Sequence, residues 1–376
     1  MSTTELTLGR SLRTLSGAAA TLLLAQGAAA AATMPPPVVP HYAHIFVIIE
    51  ENHTTDEIVP SKAAPNLTRF AQSYGYAWRF YAETHPGEPN YVAILGGNTF
   101  GIRDNDAFWC KPDSKDVACP HSADPGYVSH TVAAPSLATQ LAQHGLSWKG
   151  YFEDIPSGGS RVARWPEQPS GGKPAALYAS KHNGFMNFRD VQKDPALNQK
   201  IVGFDVLDRD LASGNVPNYA QIVPDQCDDM RGLPAGPNVP ADCIYDAGDK
   251  LISRGDVVAG RLVAEIQRSR FWSRPDNSAI VITFDEGDPA HPGGHAAGCC
   301  GSSPTDPDNP GGGWIPTIVI ANHGPRALTD LNPYNHYSLL RTTEDAFGIS
   351  EHLGHAADTA HRVLDMTALF ATPPAR

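Results

Sequence analysis

Two short acidic runs carry the clearest potential for chemistry. Glu50-Glu51-Asn52-His53 and Asp285-Glu286 each follow directly on an apolar segment. A carboxylate beside an amide oxygen can grip a hard divalent cation, and paired acids after an apolar run contribute nothing to core packing. If the two segments lie side by side, Glu51 and Asp285 converge on one ion. A third group, Asn335-His336-Tyr337, stands before a predicted helix. A histidine there suits a metal ligand, a donor to phosphate or a general acid, and equally a structural hydrogen-bonder. His85, His182 and His295 carry the same alternatives.

These groups need rigid elements to position them. Ala43–Ile49, Ser278–Thr283 and Ile315–Ala321 are short, β-branched and non-alternating, which predicts strands covered on both faces. Each ends in polar residues: Glu50-Glu51-Asn52, Asp285-Glu286 and Asn322-His323. Open parallel sheets bind ligands at the carboxyl ends of their strands, so that placement is expected of a site. Apolar periodicity predicts helices over Pro65–Tyr74, Ser136–His144, Asp256–Phe271 and Tyr337–Phe347, three of them stopped by Gly75, Gly145 and Gly348. Alternating strands and helices predict an α/β/α sandwich with a mostly parallel central sheet. The Gly/Pro-rich stretches 155–175, 232–242 and 287–313 read as insertions at the rim of one domain spanning 33–376.

Residues 1–32 are not expected to belong to that domain. Arg10 and Arg13 precede an apolar run from Ala18 to Ala25 and a small-residue stretch from Gly27 to Ala32, the pattern of a secretory signal peptide. No later apolar stretch reaches membrane-spanning length, so the mature chain is expected to be soluble, and secreted or periplasmic. Six cysteines suit that compartment. Cys110 and Cys119 would close a short loop, and Cys227 and Cys243 a longer one. Cys299 and Cys300 are neighbours, about 3.8 Å apart at Cα; a strained ring, free thiols and other partners all stay open. With 28 Lys and Arg against 40 Asp and Glu, the chain carries a formal charge of −12, which argues against a nucleic-acid partner.

Six segments together resemble a known family. They are IFVIIEEN, HPGEPNYVAILGG (85–97), YFEDIP (151–156), KHNGF (181–185), ITFDEG (282–287) and NHYSLLRTTEDAFG (335–348). In this order they resemble the bacterial and fungal phosphoesterase family of non-specific phospholipases C and acid phosphatases, a branch of the alkaline phosphatase-like fold. The resemblance implies phosphate-ester hydrolysis, on phosphomonoesters or phospholipid headgroups, at a divalent metal. By matching motif, it implies Glu51, Asn52, Asp285 and Glu286 as ligands and His336 at a position that binds metal or phosphate. Asp154 and His182 would line the pocket, with Asn90, Asp225 and Arg231 as contacts to substrate. The chain departs from the family's pattern twice. Gly87 stands where the family has a hydroxyl nucleophile, and Arg231 where it has a histidine. Thr84 or Thr99 would have to replace the nucleophile, or water attack directly. The remaining alternative is an exported protein that binds phosphorylated ligands without turning them over.

Overall fold

A computed structural model describes residues 38–371 apart from 246, 292–295 and 307–308. The expected leader and His295 therefore lie outside the described residues. Ten strands occur in chain order: β1 (His44–Glu50), β2 (Gly75–Tyr81), β3 (Trp148–Phe152), β4 (Arg164–Trp165), β5 (Tyr178–Ala179), β6 (Ile201–Val202), β7 (Tyr219–Val223), β8 (Ser278–Phe284), β9 (Trp314–Ala321) and β10 (Leu328–Asn335). Eight of them form one sheet in the order β10-β2-β9-β8-β1-β7-β3-β6, and β4 pairs only with β5. All neighbours in the large sheet are parallel except those of β9, which runs against both β2 and β8. The fold is the mixed α/β, mostly parallel architecture that the alternation of strands and helices predicts.

The sheet's centre is apolar because its strands are covered on both sides. Every residue of β7 and β8 is buried, as are all but the first of β1. Burying strands of this kind is worth about 25 cal/mol per Å² of apolar surface, so β1, β7 and β8 anchor the fold. The parallel register aligns Ile48 with Ile222 and Ile282, and Glu50 with Phe284. Consequently the residues just after β1, β7 and β8 emerge at one edge.

The direction of β9 corrects one expectation. Its polar end, Asn322-His323, lies at the opposite edge from the acids. There Asn322 accepts the Ser278 N–H at 2.9 Å and donates to the carbonyl of Asp276 at 2.9 Å. These are caps on the start of β8, remote from chemistry. The end that β9 does present to the acidic edge is glycine. Gly311 and Gly312 donate to the carbonyls of Glu83 and Ala82 at 2.8 and 2.9 Å. A Cβ on Gly312 would stand 2.4 Å from the Thr84 carbonyl oxygen, so only glycine lets the chain pass this close.

The helices match the predicted ones with one large shift. Pro65–Ser73, Leu137–Gln143 and His336–Ala346 fall within a residue or so of expectation, and Ser136 caps the second by accepting the Thr139 N–H. The helix read from Asp256 begins instead at Asp249 and runs to Arg268. A further helix, Glu88–Gly96, lies inside the resemblance segment and is buried at every position.

Candidate active site

The site grows from the carboxyl ends of β1 and β8. Asn52 turns the chain away from β1 at φ 59°, a conformation that asparagine tolerates better than most residues. That turn lets Asn52 clasp both strand ends. Its amide donates to Glu51 Oε2 at 2.7 Å, and its backbone N–H to Asp285 Oδ1 at 3.2 Å. Asp285 is fixed to β1 by its own N–H, 3.0 Å from the Glu50 carbonyl. Glu51 is wholly buried, with Oε1 receiving the Tyr91 hydroxyl at 2.8 Å.

Three more groups surround Glu51. His182 Nε2 is 3.0 Å from Glu51 Oε1, and its ring stacks on Tyr91. Arg231 reaches Glu51 Oε2 at 3.3 Å. Asp229 accepts the Glu51 N–H on its carbonyl at 2.8 Å and places a carboxylate oxygen 3.7 Å from His182 Nδ1. Glu51, His182 and Asp229 thus offer three ligand atoms within 4.8 Å of one another, all from buried residues.

The electrostatics are those of a crowded anionic pocket. Burial works to push the Glu51 carboxyl up, but His182, Lys181 and Arg231 overcome it and hold it well below the ordinary range. Burial also pushes His182 down to about 4, so at neutral pH the charges facing Glu51 are those of Lys181 and Arg231. Asp285 and Asp229 are pushed well up, chiefly by burial and then by Glu51. Asp285 Oδ2 and Asp229 Oδ2 are both buried without a hydrogen-bond partner. Buried carboxylate oxygens are normally satisfied, and orphans on two acids that both face Glu51 suit donors to a cation. The donor set of carboxylates with one imidazole fits a divalent metal.

Gly87 borders the same space. It caps the helix Glu88–Gly96, and a Cβ built on it would lie 2.2 Å from Asp285 Oδ2 and 3.4 Å from Glu286 Oε1. The orphaned oxygen of Asp285 therefore points into the volume that a side chain at position 87 would fill. Glu286 pairs through Oε2 with His85 Nδ1, and burial pushes the Glu286 carboxyl up against that pairing.

The other residues singled out from sequence take varied places. Asn90 braces the turn before Gly87, accepting the N–H groups of Glu83 and Thr84 and donating to the Thr84 carbonyl at 2.8 Å. The Thr84 hydroxyl donates to the adjoining His85 carbonyl at 3.1 Å. Thr99 follows the far end of Glu88–Gly96, a helix about 13 Å long at 1.5 Å per residue, so it stands away from Gly87. His336 is wholly buried and uses both ring nitrogens, Nδ1 on Glu83 at 2.5 Å and Nε2 on the Phe284 carbonyl at 2.9 Å. It thereby holds the last residue of β8 in place, one step before Asp285. Asp154 binds Lys173, and Asp225 joins Glu153 and Asp228 in a separate group. His53 is tied to Glu57 and to the Met230 carbonyl.

Asp229, Tyr91 and Lys181 are not singled out from sequence, although Tyr91 and Lys181 lie in segments that carry the resemblance. Their neighbours drew attention by charge or by spacing, whereas these three reach the site only through the tertiary fold. Beyond them, Asn105, Ser180, Lys181, Arg231 and Tyr245 line a cleft of about 270 Å³. The Arg231 guanidinium lies 5.7 Å from the Tyr245 ring, and its Nε is buried without a partner.

Similarity to known proteins extends over most of the chain. The sequence model of the family described as "Phosphoesterase family" matches residues 59–350. The chain is 27% identical over 310 residues to a phosphatidylinositol-3-phosphatase of Mycobacterium tuberculosis, covering 82% of this chain and 78% of that one. It is 31% identical over 207 residues to an acid phosphatase of Aspergillus fumigatus, covering 55% of this chain and 37% of the relative. This chain thus spans well under half of that fungal protein. Among solved structures, a protein in the alkaline phosphatase superfamily from Vibrio parahaemolyticus superposes with a TM-score of 0.50 at 13% identity, over 83% of this chain and 68% of its own, a likeness of fold.

Proposed function

The chain belongs to the Phosphoesterase family, and on that premise we propose that it hydrolyses phosphate monoesters with a divalent cation held at the ends of β1 and β8. The carrying observation is the pair of buried, partnerless oxygens on Asp285 and Asp229 beside Glu51. Glu51, Asn52 and Asp285 would hold the ion, with His182 and Asp229 behind them and Glu286 at the edge. Once bound, the cation would neutralise charge on the phosphoryl oxygens.

The chain's own residues supply the rest. Arg231 offers its unpartnered Nε to a phosphoryl oxygen, and Lys181 adds a second positive charge from the same cleft. With no side chain at position 87, where Asp285 Oδ2 occupies the space a side chain would take, the attacking group is a water. The water oxygen bonds to phosphorus and gives its proton to Glu286 Oε1, which borders the space at position 87. The ester oxygen leaves with its electron pair and takes a proton from His85 Nε2, which Glu286 orients through Nδ1. His336 acts at one remove, by holding the Phe284 carbonyl.

The substrate class follows from the cleft's polar, cationic wall, which suits a phosphorylated headgroup. The similarity to a phosphatidylinositol phosphatase supports an inositol phosphate or phospholipid headgroup, and the similarity to acid phosphatases supports simpler monoesters. Three disulfides support a location outside the cytosol, secreted or periplasmic. Among the described residues no helix is long and apolar enough to cross a membrane.

Phosphate release from p-nitrophenyl phosphate and from a phosphorylated inositol lipid tests the reading. Chelation and Asp285→Asn should each abolish turnover, and activity that survives both would overturn the metal-assisted mechanism. The competing reading of a binding protein without turnover rests on Gly87. It wins if calorimetry shows inorganic phosphate bound while neither ester is cleaved.

A further inference from the structure

A second group of acids gathers at the same sheet edge, and nothing in the proposed chemistry uses it. Successive strand residues point to opposite faces, so Glu50 and Glu51 leave the end of β1 in different directions. Glu51 meets His182, Tyr91 and Arg231. The charges that Glu50 meets are acids, led by Asp228, Asp256 and Glu153.

The group itself is built from three strand ends. Glu153 follows β3, Asp225 and Asp228 follow β7, and Glu50 ends β1. Glu153, Asp225 and Asp228 bring one oxygen each within 4.8 Å of one another. Hydrogen bonds hold them there: Glu153 Oε2 accepts the Asp225 N–H at 3.2 Å, and Asp225 Oδ1 accepts those of Cys227 and Asp228 at 2.8 and 3.1 Å. Arg254 donates to Asp228 Oδ1 at 2.7 Å but also serves Asp242, so it offsets only part of the charge.

Glu50 is the independent observation. Its side chain is wholly buried, and neither carboxylate oxygen has a hydrogen-bond partner. Asp256, one of its acidic neighbours, is already spent on the N–H groups of Asn66 and Leu67. What remains for Glu50 to face is the group around Asp228 and Glu153. A buried carboxylate turned toward other carboxylates is strongly unfavourable as an anion, and either a proton or a cation between them relieves it.

We propose that Glu50, Glu153, Asp225 and Asp228 form a second cation site, selective for a hard divalent ion such as calcium, that ties the ends of β1, β3 and β7 together. All its donors are oxygens, with no histidine or cysteine among the four, which favours calcium over zinc. Its role is to brace the strand end from which Glu51 projects.

The full-length chain carrying Glu51→Gln and Asp285→Asn, stripped with EGTA, isolates this site from the other. Titrated with calcium chloride in a calorimeter, it should bind one ion per chain, and its thermal midpoint should rise with calcium concentration. Adding Glu50→Gln should weaken binding about tenfold or more, as expected on losing one charged ligand. Adding Glu153→Gln with Asp228→Asn should abolish both binding and the thermal shift, with far-ultraviolet dichroism confirming a folded chain. A stripped Glu51→Gln/Asp285→Asn chain that neither binds calcium nor melts higher in its presence would overturn the proposal. Calcium binding that persists unchanged in the Glu153→Gln/Asp228→Asn background would do so as well.

Discussion

In the proposed mechanism, Gly87 decides what attacks phosphorus. With Asp285 Oδ2 only 2.2 Å from a Cβ built there, Gly87→Ala would press that carboxylate out of its place. The expected result is a fall in kcat of about tenfold or more, equivalent to at least ~1.4 kcal/mol of barrier, in a chain that still folds. Gly87→Ser should recover activity above the alanine variant, with a phosphorylated serine trapped at low pH and seen by mass spectrometry. Equal activity in the glycine, alanine and serine chains would remove the Asp285 carboxylate from the mechanism. Glu344 supplies a test of stability away from the site. Its Oε1 accepts the Leu353 N–H at 2.9 Å, its Oε2 is buried without a partner, and burial pushes its carboxyl up to about 8. The folded chain then keeps a proton that the unfolded chain releases near 4.5, so stability falls as pH rises through that window. The slope reaches at most about 1.4 kcal/mol per pH unit. Glu344→Gln should remove it, and thermal melts should show the variant's advantage growing from about pH 5 to about pH 8.

Asp256 shows how an element can be misread from its chemistry. An aspartate just before an apolar-periodic run looks like the start of a helix, yet the helix begins seven residues earlier, after Gly248. Asp256 instead serves a different helix. Its carboxylate takes the Asn66 and Leu67 N–H groups at 3.0 and 2.8 Å, capping Pro65–Ser73, whose own N-cap residue is an alanine. Asp256→Ala should cost about 1–2 kcal/mol from the lost cap, read as a lower urea midpoint at unchanged slope. Gly255 stands inside the Asp249–Arg268 helix for a reason of packing. It is there because Met230 packs against the helix, 2.3 Å from where a Cβ would stand. By contrast, β1 and β8 were legible, since buried parallel strands write themselves as unbroken apolar runs with an abrupt polar end. That same signal carried Glu51 and Asp285. It could not carry Asp229 or Lys181, which arrive on irregular segments, nor the reversal of β9, because an apolar run has no visible direction.

At the scale of the molecule, the segment that supplies Asp229 and Arg231 depends on a covalent tie. Cys227 and Cys243 are bonded across a separation of 16 residues, and Gly232 and Leu233 fold back onto Gln226 and Cys243 through backbone bonds of 2.7 Å each. A loop of that size is worth roughly 3 kcal/mol when closed by a disulfide. Replacing both cysteines by serine should lower the thermal midpoint and raise KM for phosphate esters more than it lowers kcat, because Arg231 loses its anchorage. A variant with unchanged KM would show that Arg231 is held by Glu51 alone. The reversed strand has a consequence of another kind. Since β8 and β9 are antiparallel neighbours, the chain leaves the sheet after Phe284 and re-enters it at the same edge at Trp314. The span between them is a hairpin arch whose two feet stand beside the acids. An arch can lengthen, shorten or be exchanged with little effect on the strands beneath it. On the proposed function, selectivity for the leaving group would change with such an exchange while β1 and β8 keep their places.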